Sequence, residues 1–267
     1  MNKYVHGYSQ REAIRLNDQA DSLASLIHFD SIWEEGSLIL EAGCGIGAQT
    51  KTVAVQNPNC KFISIDISKK SIIEAKDLID SKGIKNVEFQ LANIFDLPFH
   101  DEYFDHIFIC FVLEHLPNPD KALEVLKSKL KTNGTITLIE GDHGSTYFHP
   151  DSEYAKRAIQ CQIELQQRNG GDANIGRKLF PILENAGFQE ILVSPRQIYV
   201  DDSNPLWVKG FTRNTFTSMI EGIKEDAIKN ELIDRKSMER GIKDLYRTAE
   251  GGGTFCYTFF KGKGIKS

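Results

Sequence analysis

No run of about 18 apolar residues occurs in the 267-residue chain, so no membrane-spanning helix is expected. The N-terminus carries no apolar core of the kind a secretory leader needs, and no leader is expected. Five cysteines (Cys44, Cys60, Cys110, Cys161 and Cys256) include no C-x-x-C pair. Their odd number and scatter argue against a disulfide framework or a thiolate metal site, and for reduced thiols in a cytoplasmic protein. Basic charge is in short supply, with 32 Lys and Arg against 37 Asp and Glu and a net charge of −5. That balance argues against a nucleic-acid or anionic-membrane partner, because phosphate backbones select clustered basic surfaces. The basic cluster at the C-terminus, Lys261, Lys263 and Lys266, reads as a solvated tail. There is no internal repeat and no low-complexity tract.

What is present fits one α/β domain. Hydrophobic residues make up 40% of the chain, enough for a sizeable core. Apolar runs at 37–42, 61–66, 86–91, 104–111 and 134–140 read as strands. Helical patterns at 48–56, 68–82 and 119–130 alternate with them, which implies a parallel sheet covered on both faces. Ser68, Gly83 and Pro119 are start and stop signals for these helices. A helix over 9–29, opened by a Ser9–Glu12 capping box, precedes the sheet. Beyond it, 141–174 reads as a polar connection with a helix near 151–168, and 175–186 as a further helix. A strand follows at 188–200, then a mostly helical stretch at 203–250 and a last strand at Thr254–Lys261. A single domain is expected over 1–267, with a helical lid at 1–30, a core at 36–140, and helical cap insertions at 141–174 and 203–250.

The most informative segment is Leu40–Thr50. Three glycines at alternate positions, Gly43, Gly45 and Gly47, let the backbone turn tightly and approach a ligand closely. Asp66 ends the next strand. A strand, glycine loop, helix, strand and acid in this order bind a nucleoside, the acid accepting from ribose hydroxyls. The loop also fits Gly-x-Gly-x-x-Ala through Ala48, which leaves a nicotinamide dinucleotide open. Glu41 counts against it, because a carboxylate before the glycines repels a pyrophosphate at the helix N-terminus and suits a cationic ligand.

Two later segments complete the pattern: Asn93-Ile94-Phe95-Asp96-Leu97-Pro98-Phe99, and Phe104-Asp105 followed by Leu113-Glu114-His115-Leu116. Together with Glu41-x-Gly43-x-Gly45-x-Gly47 and Asp66, they make the chain resemble the class I S-adenosylmethionine-dependent methyltransferases, closely over 36–140. The resemblance implies a Rossmann-like, doubly wound sheet of seven strands, ordered 3-2-1-4-5-7-6, with the last strand antiparallel. It implies S-adenosyl-L-methionine as cofactor. Glu41 and the backbone of Gly43, Cys44, Gly45 and Gly47 would surround the methionine part, and Asp66 would hold the ribose. Ile67 would lie against the adenine, Asn93 and Ile94 at its edge, and Phe111 near the sulfonium. Many relatives carry Asp where this chain has Asn93.

For chemistry, Glu140-Gly141-Asp142-His143-Gly144 places two carboxylates and an imidazole where open α/β sheets bind ligands. His143 can take a proton from a hydroxyl substrate, with Asp142 or Glu140 polarising or orienting a group nearby, or the stretch can be a polar loop with a hydrogen-bonded histidine. His115 and His149 read more simply as turn residues. Arg177 and Arg196 fit salt bridges or an acidic substrate group. Trp207, Phe211 and Phe216 fit core packing. Tyr4, His6, Tyr8 and Arg11 fit either a cover over the cofactor or a solvated helix start. The expectation is methyl transfer to a small-molecule acceptor, with no metal. The alternatives are an NAD-dependent oxidoreductase and a non-catalytic S-adenosylmethionine-binding protein. The sequence leaves the oligomeric state open.

Overall fold

The computed structural model describes residues 10–267, with side chains from residue 15 onward except residue 17. The Ser9–Glu12 capping box and the Tyr4, His6, Tyr8 and Arg11 cluster lie outside those described positions. The first helix, α1, spans Gln10–Ile27.

The strands are β1 (Leu38–Ala42), β2 (Lys61–Asp66), β3 (Val87–Leu91), β4 (Phe104–Cys110), β5 (Leu130–His149), β6 (Gln189–Val200) and β7 (Thr254–Ile265). They form one seven-stranded sheet in the order β3-β2-β1-β4-β5-β7-β6, as the resemblance implies. Strands β1 to β5 pair in parallel. β7 runs antiparallel to both β5 and β6.

Successive strand residues face opposite sides of a pleat, and here both sides are buried. Ile39, Phe108, Cys110 and Ile139 belong to one apolar cluster, and Leu40, Ile107, Ile109 and Leu138 to the other. The second face is covered by α4 (Pro119–Lys129) and α6 (Leu179–Asn185) through Leu123, Leu126, Leu179 and Leu183. The first face receives α1, α2 (Thr50–Gln56) and a helical cap. The predicted signals hold locally. Ser68 accepts from the Ser71 amide at the start of α3 (Lys69–Ser81), and Asn118 caps α4 ahead of Pro119.

The cap comprises α5 (Glu153–Arg168), α7 (Pro205–Trp207), a π-helical stretch at Val208–Thr217, α8 (Ser218–Gly222), α9 (Lys224–Lys229) and α10 (Arg235–Arg247). α1 joins it: Trp207 Nε1 donates to the Ser22 carbonyl at 2.8 Å, and Asn214 Nδ2 to Asp18 at 2.9 Å. α10 crosses α5 at Gly241, where a Cβ would strike the Tyr154 carbonyl. Among the described residues no helix is long and apolar enough to cross a membrane.

Three elements differ from the expectation. First, β5 does not end near 140 but runs to His149, because β7 lies along it and pairs Gly141 with Phe259 and Phe148 with Phe255. The connection at 141–149 is therefore strand, and the helix after it begins at Glu153. Second, residues 175–178 form a 3-10 turn ahead of α6. Third, the C-terminal basic cluster is not a solvated tail. β7 continues to Ile265, and Lys261 is 1% exposed. Its Nζ donates to Asp30 at 2.6 Å and to Ser31 Oγ at 2.8 Å. Arg196 reaches the other oxygen of Asp30 at 2.6 Å. Asp30 thus ties the segment after α1 to β6 and β7, and the two cations beside it hold its carboxyl below the usual range against the opposing effect of burial.

Candidate cofactor and acceptor site

The glycine loop leaves β1 on a backbone that only glycine adopts freely, with φ of +84° at Gly43, +52° at Gly45 and +79° at Gly47. The loop is anchored to β2 by the Gly43 and Cys44 amides, which donate to the Ile65 carbonyl. A Cβ at Gly43 would lie 2.5 Å from Val112 Cγ2, so bare backbone is required where the loop meets the turn after β4. At Gly45 a Cβ would meet nothing within 4 Å. Gly43 is therefore fixed by packing, Gly47 lies close against Ala75, and Gly45 faces open space.

Two acids lie at the loop, Asp66 bonded to the Gly45 amide and Glu41 on the strand that leads into it. Asp66 accepts from the Gly45 amide at 2.9 Å and from the Ser68 amide at 2.8 Å, one on each oxygen. Burial raises its pKa, opposed by the Ser68, Gly45 and Ile67 amides. Glu41 is 2% exposed and accepts from Ser64 Oγ at 2.6 Å and Thr50 Oγ1 at 2.7 Å. Burial lifts its pKa to about 7, against these hydroxyl bonds and with help from the negative charge of Asp66. Thr50 opens α2, so this helix N-terminus already faces a carboxylate. The Cys44 thiol is pushed well up by burial and by both acids, so it stays protonated. Ile67 stands 59% exposed beside Asp66. Asn93 Oδ1 accepts from the Phe95 amide at 3.0 Å, and Ile94 packs against the second apolar cluster.

The turn after β4 is strained. Phe111 has φ of +59°, which a bulky residue rarely adopts. It is held there from both sides. Its amide donates to the Ile139 carbonyl at 2.8 Å, and the next two amides, Val112 and Leu113, donate to Glu140 Oε1 at 3.0 and 2.8 Å. The Phe111 ring meets Phe259 at 5.5 Å between centroids. Glu140 is fully buried, and desolvation with nearby Glu114 keeps it protonated well above the usual carboxylate range.

Asp142 and His143 take different partners. The Asp142 carboxylate is taken in two parallel bonds of 2.7 Å by Arg177. His143 turns instead to Tyr257, whose hydroxyl lies 2.8 Å from Nδ1, while Nε2 is buried with no partner. Glu140 serves the 111–113 turn. The cap roofs this region, with Phe216 against His143 at 6.0 Å and Phe211 against Tyr257 and Phe259, each at 5.8 Å. These rings are buried against one another, the core role expected of them. Arg177 and Arg196 both form salt bridges.

Sequence reasoning did not single out Tyr257, Thr50 or Ser64. A tyrosine alternating with Phe255 and Phe259 on a buried strand face was the available signal, since a buried phenol needs a partner. Thr50 and Ser64 offered none, being ordinary residues until the fold brings them to Glu41. A separate groove of about 740 Å³ lies on the cap between α5 and α10, lined by Glu153, Tyr154, Arg157 and Asp234 among others, and shares no residue with the glycine loop. Among the described residues no group of three or more His, Cys, Asp or Glu could hold a metal ion.

A family profile described as a methyltransferase domain matches residues 34–187. The chain belongs to the methyltransferase family. The chain is similar in structure to the YcgJ protein of Bacillus subtilis, with TM-score 0.58 and 17% identity over 92% of this chain and 98% of that one. A second likeness is to a Haemonchus contortus phosphoethanolamine N-methyltransferase solved with phosphomonomethylethanolamine and S-adenosylhomocysteine. The TM-score is 0.58 and the identity 17%, over 97% of this chain and 58% of that one. At that identity both likenesses show the fold alone. In sequence, the ubiquinone/menaquinone biosynthesis C-methyltransferase of Vibrio campbellii is 34% identical over 107 residues, 39% of this chain and 41% of that protein. The chain spans 21% to 54% of the length of the first curated relatives it matches.

Proposed function

We propose that the protein transfers a methyl group from S-adenosyl-L-methionine to a small-molecule acceptor. The observation that carries this reading is the acidic setting of the glycine loop: Asp66 accepts from the Gly45 amide, and Glu41 lies on the strand that leads into the loop, bonded to Thr50 at the start of α2. A dinucleotide pyrophosphate would bring negative charge against Glu41 at the start of α2. A cationic ligand with ribose hydroxyls gains from both acids. Asp66 already accepts two amides, and a carboxylate has about four acceptor sites, so it keeps capacity for hydroxyls. Glu41 would meet the ligand's ammonium end together with the Gly43–Gly47 backbone. Ile67 and Ile94 would supply apolar surface for the adenine. Asn93, with its carbonyl committed to Phe95, would present its amide group at the base edge.

When bound, S-adenosyl-L-methionine supplies an electrophilic methyl that carries its own leaving group. The protein's work is then placement and exclusion of water. Glu140 and the Ile139 carbonyl hold the turn that sets Phe111, and α1, the π-helical stretch and α5 roof the strand ends. His143, on β5 beneath Phe216, would face the acceptor. Asp142, bound to Arg177, braces the chain beside it. Net charge of −5 favours a small acceptor over nucleic acid.

The test is transfer of label from methyl-labelled S-adenosyl-L-methionine into fractions of a cell extract. Label that accumulates with time in the small-molecule fraction, and is lost with Asp66→Ala, supports the reading. Label in RNA or protein overturns the choice of acceptor. Tight cofactor binding with no label in any fraction overturns catalysis and favours a binding protein.

A further inference from the structure

Tyr257 lies on β7 between Phe255 and Phe259 and is 2% exposed. Its ring meets His143 edge-on, with centroids 5.8 Å apart, and its hydroxyl lies 2.8 Å from Nδ1. The phenol reaches this place because residue 141 is glycine; a Cβ there would collide with the hydroxyl. His143 itself is anchored on the other side, its amide donating to the Ala173 carbonyl at 3.0 Å. The remaining polar atom of the pair, Nε2, is buried and unpartnered. It sits at the strand ends under Phe216, where the acceptor is placed in the reading above.

We propose that Tyr257 is a positioning residue, donating its hydroxyl proton to Nδ1 so that His143 carries its own proton on Nε2, a hydrogen-bond donor held ready for the methyl acceptor. The hydrogen count favours this arrangement. In the reverse arrangement Nδ1–H would donate to the phenol, and both the hydroxyl hydrogen and the Nε2 lone pair would be buried without partners. Unpaired buried polar groups are disfavoured, so the tautomer with one orphan prevails over the tautomer with two.

The pair also stays neutral. Charged or titratable groups face His143 from three elements: Arg15 of α1, Glu114 and His115 of the turn after β4, and Asp142 of its own strand. Phe216 and Tyr257, from the π-helical stretch and β7, add no charge. Burial outweighs the two carboxylates and holds the imidazole below its ordinary value, and it pushes the Tyr257 phenol well up.

The consequence rests on the methyltransferase reading. A donor at Nε2 orients an acceptor that offers a lone pair, such as a carbonyl, carboxylate or ether oxygen beside the atom to be methylated. In this tautomer His143 aligns the substrate and does not remove its proton, so the nucleophile must be one that attacks without a base from this residue.

The experiment is a long-range proton–nitrogen correlation spectrum of protein labelled with nitrogen-15 in histidine, recorded at neutral pH on full-length protein with and without S-adenosylhomocysteine. His143→Gln identifies the resonances. The expected result is a neutral ring with Nε2 protonated and Nδ1 unprotonated, and a mixture of tautomers in Tyr257→Phe. A wild-type ring protonated on Nδ1, or a spectrum unchanged by Tyr257→Phe, overturns the proposal. If Tyr257→Phe does not fold, the wild-type tautomer decides alone. Calorimetric titration of the same sample with S-adenosylhomocysteine separates the two levels. Absence of binding with the expected tautomer removes the methyltransferase reading and leaves the pair intact.

Discussion

Glu41→Gln should stabilise the ligand-free protein at high pH and weaken its cofactor binding, two effects of opposite sign from one atom. The Glu41 carboxyl is held at about 7 by burial, against 4.5 for an ordinary glutamate. Since one pKa unit is worth about 1.4 kcal/mol, ionised Glu41 disfavours the folded state by roughly 3 kcal/mol. For an acid with a raised folded pKa, the native state binds the extra proton between pH 4.5 and about 7. The neutral form's advantage is complete below the lower value and is lost as pH climbs through the upper one. Glutamine keeps an oxygen for Ser64 and Thr50 but cannot ionise. Urea unfolding of wild type and variant at pH 5 and pH 8 should therefore show the variant gaining about 2–3 kcal/mol between the two conditions. Contact changes common to both conditions cancel in that difference. Cofactor affinity should fall by about tenfold or more, the loss of one charge-assisted hydrogen bond. A difference independent of pH, or a variant that loses ground at pH 8, would refute the electrostatic account of Glu41.

His28 should contribute the opposite slope. It is buried, its pKa is pushed down from 6.5 to about 4, and it folds neutral, so its contribution to stability is lost as pH falls through that window. His28→Gln should flatten the acid limb of the unfolding profile by up to about 3 kcal/mol. Gly43→Ala should cost about 2–4 kcal/mol in urea unfolding, through left-handed backbone and the contact with Val112. Gly45→Ala should cost only about 1–2 kcal/mol, for backbone alone, yet abolish cofactor binding by calorimetry, because its methyl would occupy the open face. Lys261→Met should destabilise by about 3 kcal/mol in the same assay, since it removes a partner of Asp30 from a buried position.

Residues 36–140 were legible because each strand there is an apolar run with a turn signal after it. Gly43–Gly47 and Asp66 punctuate the chain where the backbone must reverse and meet a ligand. Residues 141–149 were not legible for the converse reason. Gly141, Asp142, Gly144, Ser145 and Thr146 show neither apolar alternation nor β-branched enrichment. They continue the strand because β7, more than a hundred residues later, pairs with Gly141 and Asp142 on one side of a bulge and with Tyr147, Phe148 and His149 on the other. Lys261 misled in the same way: alternating Lys and Gly look solvated until Asp30 and Ser31 fold over them.

The site divided along the same line. Glu41 and Asp66 stand in the last two positions of β1 and β2, so local sequence located them. The partners of Asp142 and His143 are set by tertiary contact. Arg177 is 35 residues from Asp142, and Tyr257 is 114 from His143, and no spacing rule joins them. The acidic pair at the glycine loop can be read from the chain alone, but the hydrogen bonds at the acceptor end can be read only from the fold.

The most direct test of the central claim is isothermal calorimetry of the folded wild-type protein with S-adenosyl-L-methionine and, separately, with NADH. The account predicts one saturable site for S-adenosyl-L-methionine, with proton release near pH 7 as Glu41 ionises against the cation, and no comparable heat with NADH. Saturable binding of NADH with no binding of S-adenosyl-L-methionine would contradict it.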